Sequence, residues 1–229
     1  MAGMSLATTA FAKAAIGSTE IQKISIGTAE IWSAVTASYD TVAAGVQAFN
    51  SVSSFSITAA PGADVFVAVT QDRTSAHSSG VTCGGVAMTP VTTALHNNSS
   101  INGGVAIYRR AGAGTGSALT IVTGAGTGWM IVNAISFAGV SSMGTPTSAF
   151  GSGTSVSHAV SLPGPVGLSV FSGGANGGPT TQFGSFSGVT NRFNLKATGA
   201  ILAINTVTAS GTISAATNNP WASVFVPLS

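Results

Sequence analysis

Residues 51–71 read SVSSFSITAAPGADVFVAVTQ, and the fold is decided there. Val65-Phe-Val-Ala-Val-Thr70 is an unbroken run of β-branched, aromatic and small residues, the composition of a buried strand core. Pro61-Gly62, just ahead of it, is its turn. Outward from this run the same kind of segment recurs. Val81 to Met88 encloses Gly84-Gly85, a hairpin or bulge signal. Val105 to Arg110, Leu119 to Thr123 and Met130 to Phe137 follow. Val166 to Phe171, Ile201 to Val207 and Val224 to Leu228 complete the set. Short strands separated by Gly, Ser, Thr and Asn turns predict an all-β chain, a sandwich or a barrel. A helical period extends no further than Ala7 to Ala15, and Ser172 to Ser187 reads as a long exposed loop.

Composition narrows the class. Gly supplies 30 of 229 residues. Charged residues supply 5%, against about 25% in ordinary soluble domains. Such a chain is not a charge-rich disordered protein, a coiled coil or, lacking a three-residue Gly period, a collagen. Mean hydropathy is positive, yet the best apolar stretch, Trp129 to Val140, is interrupted by Asn133, Ser136 and Gly139. A spanning helix needs about 20 apolar residues, so no membrane insertion is expected. The first residues carry no basic side chain before Lys13 and no sustained apolar core, so a protein made in a cytoplasm, or one released by means other than an export signal, is expected. Cys83 is the lone cysteine, which excludes an intrachain disulfide.

The charges are unevenly placed. Glu20, Glu30, Asp40, Asp64 and Asp72 are all the acids; Arg73, Arg109, Arg110, Arg192 and Lys196 are the only charged side chains beyond them. Glycoside hydrolysis and calcium or magnesium binding both draw on carboxylates, and most of the chain has none. Five dispersed cations are too sparse for a nucleic-acid footprint.

Near the start, Ile16-Gly-Ser-Thr-Glu-Ile21 is followed by Ile26-Gly-Thr-Ala-Glu-Ile31. Ile16, Ile21, Ile24, Ile26, Ile31 and Trp32 form the apolar set of short strands joined by tight turns. A piece this small cannot bury its own apolar face. It is either a hairpin leading into the main domain or an assembly element, and the second reading is favoured for residues 1–34.

No motif carries a cofactor or a metal. Gly112-Ala-Gly-Thr-Gly116 and Gly124-Ala-Gly-Thr-Gly128 lie between strand-like runs and read as hairpin turns, not phosphate loops. His77, His96 and His158 are far apart, and none has a partner at metal-ligand spacing. No nucleophile elbow occurs, and Cys83 reads as a buried thiol. The polar loops hold more interest: His96, Asn97, Asn98 and Asn102, then Asn176 and Asn218-Asn219, with Trp129, Trp221 and Phe183 in or near turns. Amides beside an aromatic face suit sugar hydroxyls or a protein contact, and equally suit ordinary turn chemistry with core aromatics.

These residues carry a resemblance. IGSTEIQKISIGTAEIWSA resembles the opening of actinobacteriophage minor tail proteins, in which such units end at a Trp and precede a glycine-rich β domain. Tyr39-Asp40 followed by SVSSFSITAAPGADVFVAVTQ, GVTCGGVAMTPV, VAIYRRAGAGTGSALTIVT, SFAGV and PGPVGLSVFSGGA is similar to a jelly-roll-like β-sandwich of phage tail and bacterial surface proteins. Cys83 stands where that pattern has an aromatic residue. The likeness covers most of the chain to about residue 175 and brings no catalytic residue with it.

The resemblance implies an antiparallel, jelly-roll-like β-sandwich over residues 35–229 behind a short hairpin or arm over 1–34. It implies a non-enzymatic virion protein of the tail tip or fibre, without cofactor, in contact with other tail proteins. A homotrimer is favoured, and host envelope glycans are an expected partner. The assembly side would be Ile16, Ile21, Ile24, Ile26, Ile31 and Trp32. The host-contact loops would be His96, Asn97, Asn98, Asn102, Asn176 and Phe183. A capsid-decorating or head-fibre protein is the alternative, and a cell-wall hydrolase a remoter one that the scarcity of carboxylates opposes.

Overall fold

A computed structural model describes residues 14–16, 19–21, 23–26, 28–33 and 36–229. The chain forms two units, Met1–Thr36 and Ala37–Ser229. The Ala7–Ala15 helical period falls largely outside the described residues, and Ala14 and Ala15 are in a strand.

Among its described residues the first unit holds two antiparallel hairpins. β1 (Ala14–Ile16) pairs with β2 (Thr19–Ile21), and β3 (Lys23–Ile26) with β4 (Ala29–Ser33). Each copy of the six-residue repeat runs from the end of one strand into the next. Ile24 lies opposite Trp32 in the register. Ile21 and Ile24 are half-buried. The side chains of Ile16, Ile26, Ile31 and Trp32 lie outside the described residues.

The second unit begins with β5 (Ser38–Val42), β6 (Val46–Phe49), β7 (Ser53–Thr58), β8 (Asp64–Gln71) and β9 (Val81–Cys83). β10 (Val86–Ala87), β11 (Thr89–Leu95), β12 (Gly104–Arg110), β13 (Ala118–Thr123) and β14 (Trp129–Ala138) follow. Then come β15 (Thr147–Gly151), β16 (Ser155–Val160), β17 (Val166–Gly174) and β18 (Gly184–Ser187). β19 (Thr190–Lys196), β20 (Ala200–Val207), β21 (Gly211–Ala216) and β22 (Trp221–Leu228) complete it. Two short 3-10 turns, His96–Asn98 and Ser100–Asn102, are its helical content, and among the described residues no helix is long and apolar enough to cross a membrane.

These strands build four antiparallel sheets. The first half, through β14, makes a small sheet in the order β10-β9-β13-β7 and a large one in the order β11-β12-β8-β14-β5, with β6 also paired to β14. The second half makes a large sheet in the order β15-β22-β17-β20-β19 and a small one in the order β16-β21-β18. The two halves follow one path when β5 is matched with β15, β7 with β16, β8 with β17, β9 with β18, and β11 to β14 with β19 to β22 in turn. In each, the first strand lies beside the last, as in a jelly roll. Local chemistry repeats as well: Pro61-Gly62 precedes β8 and Pro163-Gly164 precedes β17, while Trp129 opens β14 and Trp221 opens β22. Where the sequence reading has one sandwich over 35–229, the structure holds two of the same topology.

The large sheets face one another, so the body has four layers and three cores. The side chains of β8 divide between two of them. Phe66 and Ala68 enter the central core, against Leu168, Val170, Leu202, Ile204, Val224 and Val226 of the second half. Val65, Val67 and Val69 enter the core of the first sandwich, against Ile57, Cys83 and Ile121. Phe171, Ile201, Ala203 and Phe225 fill the core of the second sandwich, with Val156, Ile213 and Ala215. The inner strands β8, β17, β20 and β22 are buried along their whole length because both faces are covered. The outer strand β16 alternates exposed and buried because one face meets water.

One expectation fails here. Ser172 to Ser187 is not a single exposed loop: Ser172, Gly173 and Gly174 are buried at the end of β17, and Gly184 to Ser187 form β18. At the end of β17 the small residues reflect tight quarters. Gly174 backs directly onto the Asn102 carbonyl and the His96 ring, where a Cβ has no room.

Candidate seam groove

Each sandwich contributes one wall to an open groove of about 440 Å³ at their seam. The first half supplies Gln47 and Trp129; the second supplies Pro179, Thr180, Lys196, Ala197 and Thr198.

Local chemistry fixes the Trp129 wall. The Gly124–Gly128 turn ends with the Gly128 amide donating to Asn50 Oδ1 at 2.6 Å, and the Asn50 amide returns a bond to the Gly128 carbonyl. The Trp129 amide donates to Asp72 Oδ1 at 2.9 Å, and the Asp72 amide donates to the Trp129 carbonyl at 3.0 Å. Phe49 is opposite Trp129 in the β6–β14 register, with ring centroids 5.2 Å apart and a 55° tilt. Phe49 remains 48% exposed, so this aromatic pair has one member in water.

The other wall is a loop zipped onto a turn. Thr180 donates through its amide to the Thr198 carbonyl at 2.9 Å and through its hydroxyl to the Ala197 carbonyl at 2.8 Å. The Ala175 amide donates to the Gly199 carbonyl at 3.1 Å. Lys196 ends β19 and Thr198 lies in the β19–β20 turn, both exposed, as is Gln47. The Gln47 amide, the Lys196 ammonium and the Thr198 hydroxyl have no side-chain partner among the described residues.

No carboxylate of the described residues lines this groove. Each acid of the second unit clamps backbone instead. Asp40 Oδ2 accepts from the Ala60 amide at 2.8 Å and the Ser136 hydroxyl at 2.7 Å. Asp64 takes Arg109 at 2.5 and 2.7 Å and the Gly112 amide at 2.7 Å. Asp72, fully buried, holds Trp129 and lies 3.5 Å from Arg73 Nε. Its Oδ2 has no hydrogen-bond partner and packs against Gly199. No cluster of three or more metal-ligating side chains forms among the described residues.

The loop residues singled out in the sequence divide. Asn97, Asn98 and Asn176 are exposed and Asn102 is half-buried. Asn97, Asn98 and Asn176 all have positive φ, at 50°, 53° and 47°, so these asparagines serve the turns themselves. The structure brings their loops to one end of the body: Gly174 touches Asn102 and His96, and the Asn176 amide donates to the Asp72 carbonyl at 3.1 Å. His96 and Phe183 do not reach the surface. His96 is wholly enclosed, with Nδ1 2.6 Å from the Asn102 carbonyl and Nε2 2.7 Å from Ser172 Oγ. Phe183 packs on Phe171 at 6.1 Å in the core of the second sandwich. Neither can touch a host ligand from these positions.

The remaining polar candidates are structural. Burial holds His96 down to about 4 and lowers His77 and His158 as well, so all three are neutral at pH 7. Burial pushes the Cys83 thiol up, while its carbonyl accepts from Arg110 at 2.6 Å. Gln47 and Lys196 carry no signal in the sequence, because a repeat boundary separates them and only the stacking of the halves brings them together. Comparison with known protein families, curated proteins and solved structures finds no match to this chain.

Proposed function

We propose that this chain is a structural component of a bacteriophage virion, a minor tail protein of the tail tip or a fibre. The observation that carries the reading is the pairing of a small repeat-built hairpin unit with a nearly charge-free stack of two jelly-roll-like sandwiches. In this reading residues 1–34 join the chain to other tail proteins, and residues 35–229 face the host. The body works by contact and not by catalysis: its carboxylates are spent on holding turns. Weak sites repeated on a homotrimer gain strength through multivalency.

Phage assembled with a copy lacking residues 1–34 tests this division. The truncated chain is expected to melt cooperatively in isolation and to be missing from purified particles. Incorporation at the normal level, or a truncated body that does not fold, would refute it.

A further inference from the structure

We infer that the seam groove is a binding site for an acidic saccharide. This inference rests on the host-facing role proposed above for its biological setting, but its chemistry stands on the groove itself.

A sugar ring has an apolar C–H face and a rim of hydroxyls, and each finds a counterpart here. Trp129 lines one wall, with the half-exposed ring of Phe49 beside its indole, and the exposed Pro179 adds apolar surface opposite. Three exposed polar side chains, Gln47, Lys196 and Thr198, surround that surface without side-chain partners among the described residues. Together they offer an amide, an ammonium and a hydroxyl. The volume of about 440 Å³ lies in the ordinary range for small-molecule sites, roughly 300–1,000 Å³.

Charge selects the class of saccharide. Among the described residues Lys196 is the charged group in the lining, and no carboxylate of theirs shares the groove to neutralise it. Asp72, the acid tied to the Trp129 wall, is fully buried, with one oxygen committed to the Trp129 amide. A uronic-acid carboxylate would therefore meet an uncompensated ammonium, while a neutral sugar leaves it unused.

The groove is also held in shape before any ligand arrives. Asp72 and Asn50 fix the Trp129 turn, and Thr180 fixes the opposite loop. Pre-organisation of this kind lowers the ordering cost of binding.

The test follows the Trp129 indole N–H by NMR in the full chain, assigned through Trp129→Phe, during titration with trigalacturonate. Maltotriose serves as the neutral counterpart and triglutamate as the acidic peptide. The expected result is a saturable shift with trigalacturonate, with Kd on the order of 1 mM. Binding should be about tenfold weaker for maltotriose and for the Lys196→Gln variant, whose melting temperature stays unchanged. No saturable shift with trigalacturonate would overturn the inference, as would equal binding by Lys196→Gln. A shift of equal size with triglutamate would overturn the saccharide assignment. Binding by a chain that purified particles lack would refute the tail placement and leave the groove standing; a particle component that binds nothing would refute the groove alone.

Discussion

His96 Nε2 lies 2.7 Å from Ser172 Oγ, and this contact joins one sandwich to the other. The proton positions follow from the partners. Nδ1 faces the Asn102 carbonyl at 2.6 Å and must donate to it, so Nε2 accepts from the Ser172 hydroxyl. Ser172 Oγ in turn accepts from the Thr70 hydroxyl at 2.5 Å. Every group is satisfied while the imidazole is neutral. A second proton would place a donor on Nε2, opposite a hydroxyl already donating to it.

Acid should therefore destabilise the body. The folded pKa of His96, about 4, lies below its ordinary value of 6.5, so the unfolded chain binds the extra proton. The stability is fully present above pH 6.5 and is lost as pH falls from 6.5 toward 4. The His96 share of that loss is about 3 kcal/mol, and the lowered His77 and His158 act in the same direction. Urea midpoints between pH 7.5 and 4 check this, and a flat profile would contradict it.

Removing the hydroxyl tests the same network at constant pH. Ser172→Ala leaves His96 Nε2 buried without a donor, which costs about 1–3 kcal/mol. Chemical denaturation of the variant at pH 7.5 measures it.

Two glycines guard the Asp72 clamp. A Cβ at Gly199 or at Gly128 would overlap the Asp72 carboxylate, which is enclosed and cannot swing away. Gly199→Ala and Gly128→Ala should each cost about 2–4 kcal/mol and shift the Trp129 indole resonance. Gly62→Ala is the control: its φ is +76° but no atom lies within 4 Å of the added Cβ, so only the backbone cost of about 1–2 kcal/mol remains. Thermal melts of the three variants rank them.

The central core binds the two sandwiches into one cooperative body. Phe137 sits in it, edge-on to Tyr39 at 6.5 Å and to Phe66 at 5.9 Å, and Arg192 of the second half covers the Tyr39 ring at 4.0 Å. Residues 37–229 should melt in a single calorimetric transition, and Phe137→Ala should lower it by about 3–5 kcal/mol without splitting it. Two separated transitions would show that the halves are independent.

Much of this fold was legible in the sequence. The strands around Val65-Thr70, Met130-Phe137, Ile201-Val207 and Val224-Leu228 lie where the apolar runs place them. The Gly112–Gly116 and Gly124–Gly128 segments are connections as expected but not hairpin turns, because β13 lies in the small sheet and β12 and β14 in the large one, so each segment crosses between sheets. The duplication was present as well, but in a form that is easily passed over. A two-layer sandwich with wet outer faces alternates apolar and polar residues along its strands. Val65 to Val69 and Ile201 to Ile204 do not alternate, and unbroken apolar runs of that kind signal sheets covered on both faces. The repeat itself is muted, because its halves share topology and a few turn residues such as Pro61-Gly62 and Pro163-Gly164 more than side chains.

The site was less legible. His96 reads as a loop residue because its neighbours are Asn and Ser, yet the ring turns inward to meet Ser172, far along the chain. Phe183 reads as a loop residue because glycine surrounds it, yet its ring packs on Phe171 in the core of the second sandwich. Gln47 and Lys196 become neighbours of one groove only after the large sheets stack.

The proposed place of this protein on a virus particle is tested most directly by cryo-electron microscopy of purified phage carrying the gene. The account predicts density for a four-layer β body at the tail tip or on a fibre, in three copies about one axis, with residues 1–34 against another tail protein. Density over the capsid lattice, or particles without the chain, would contradict it.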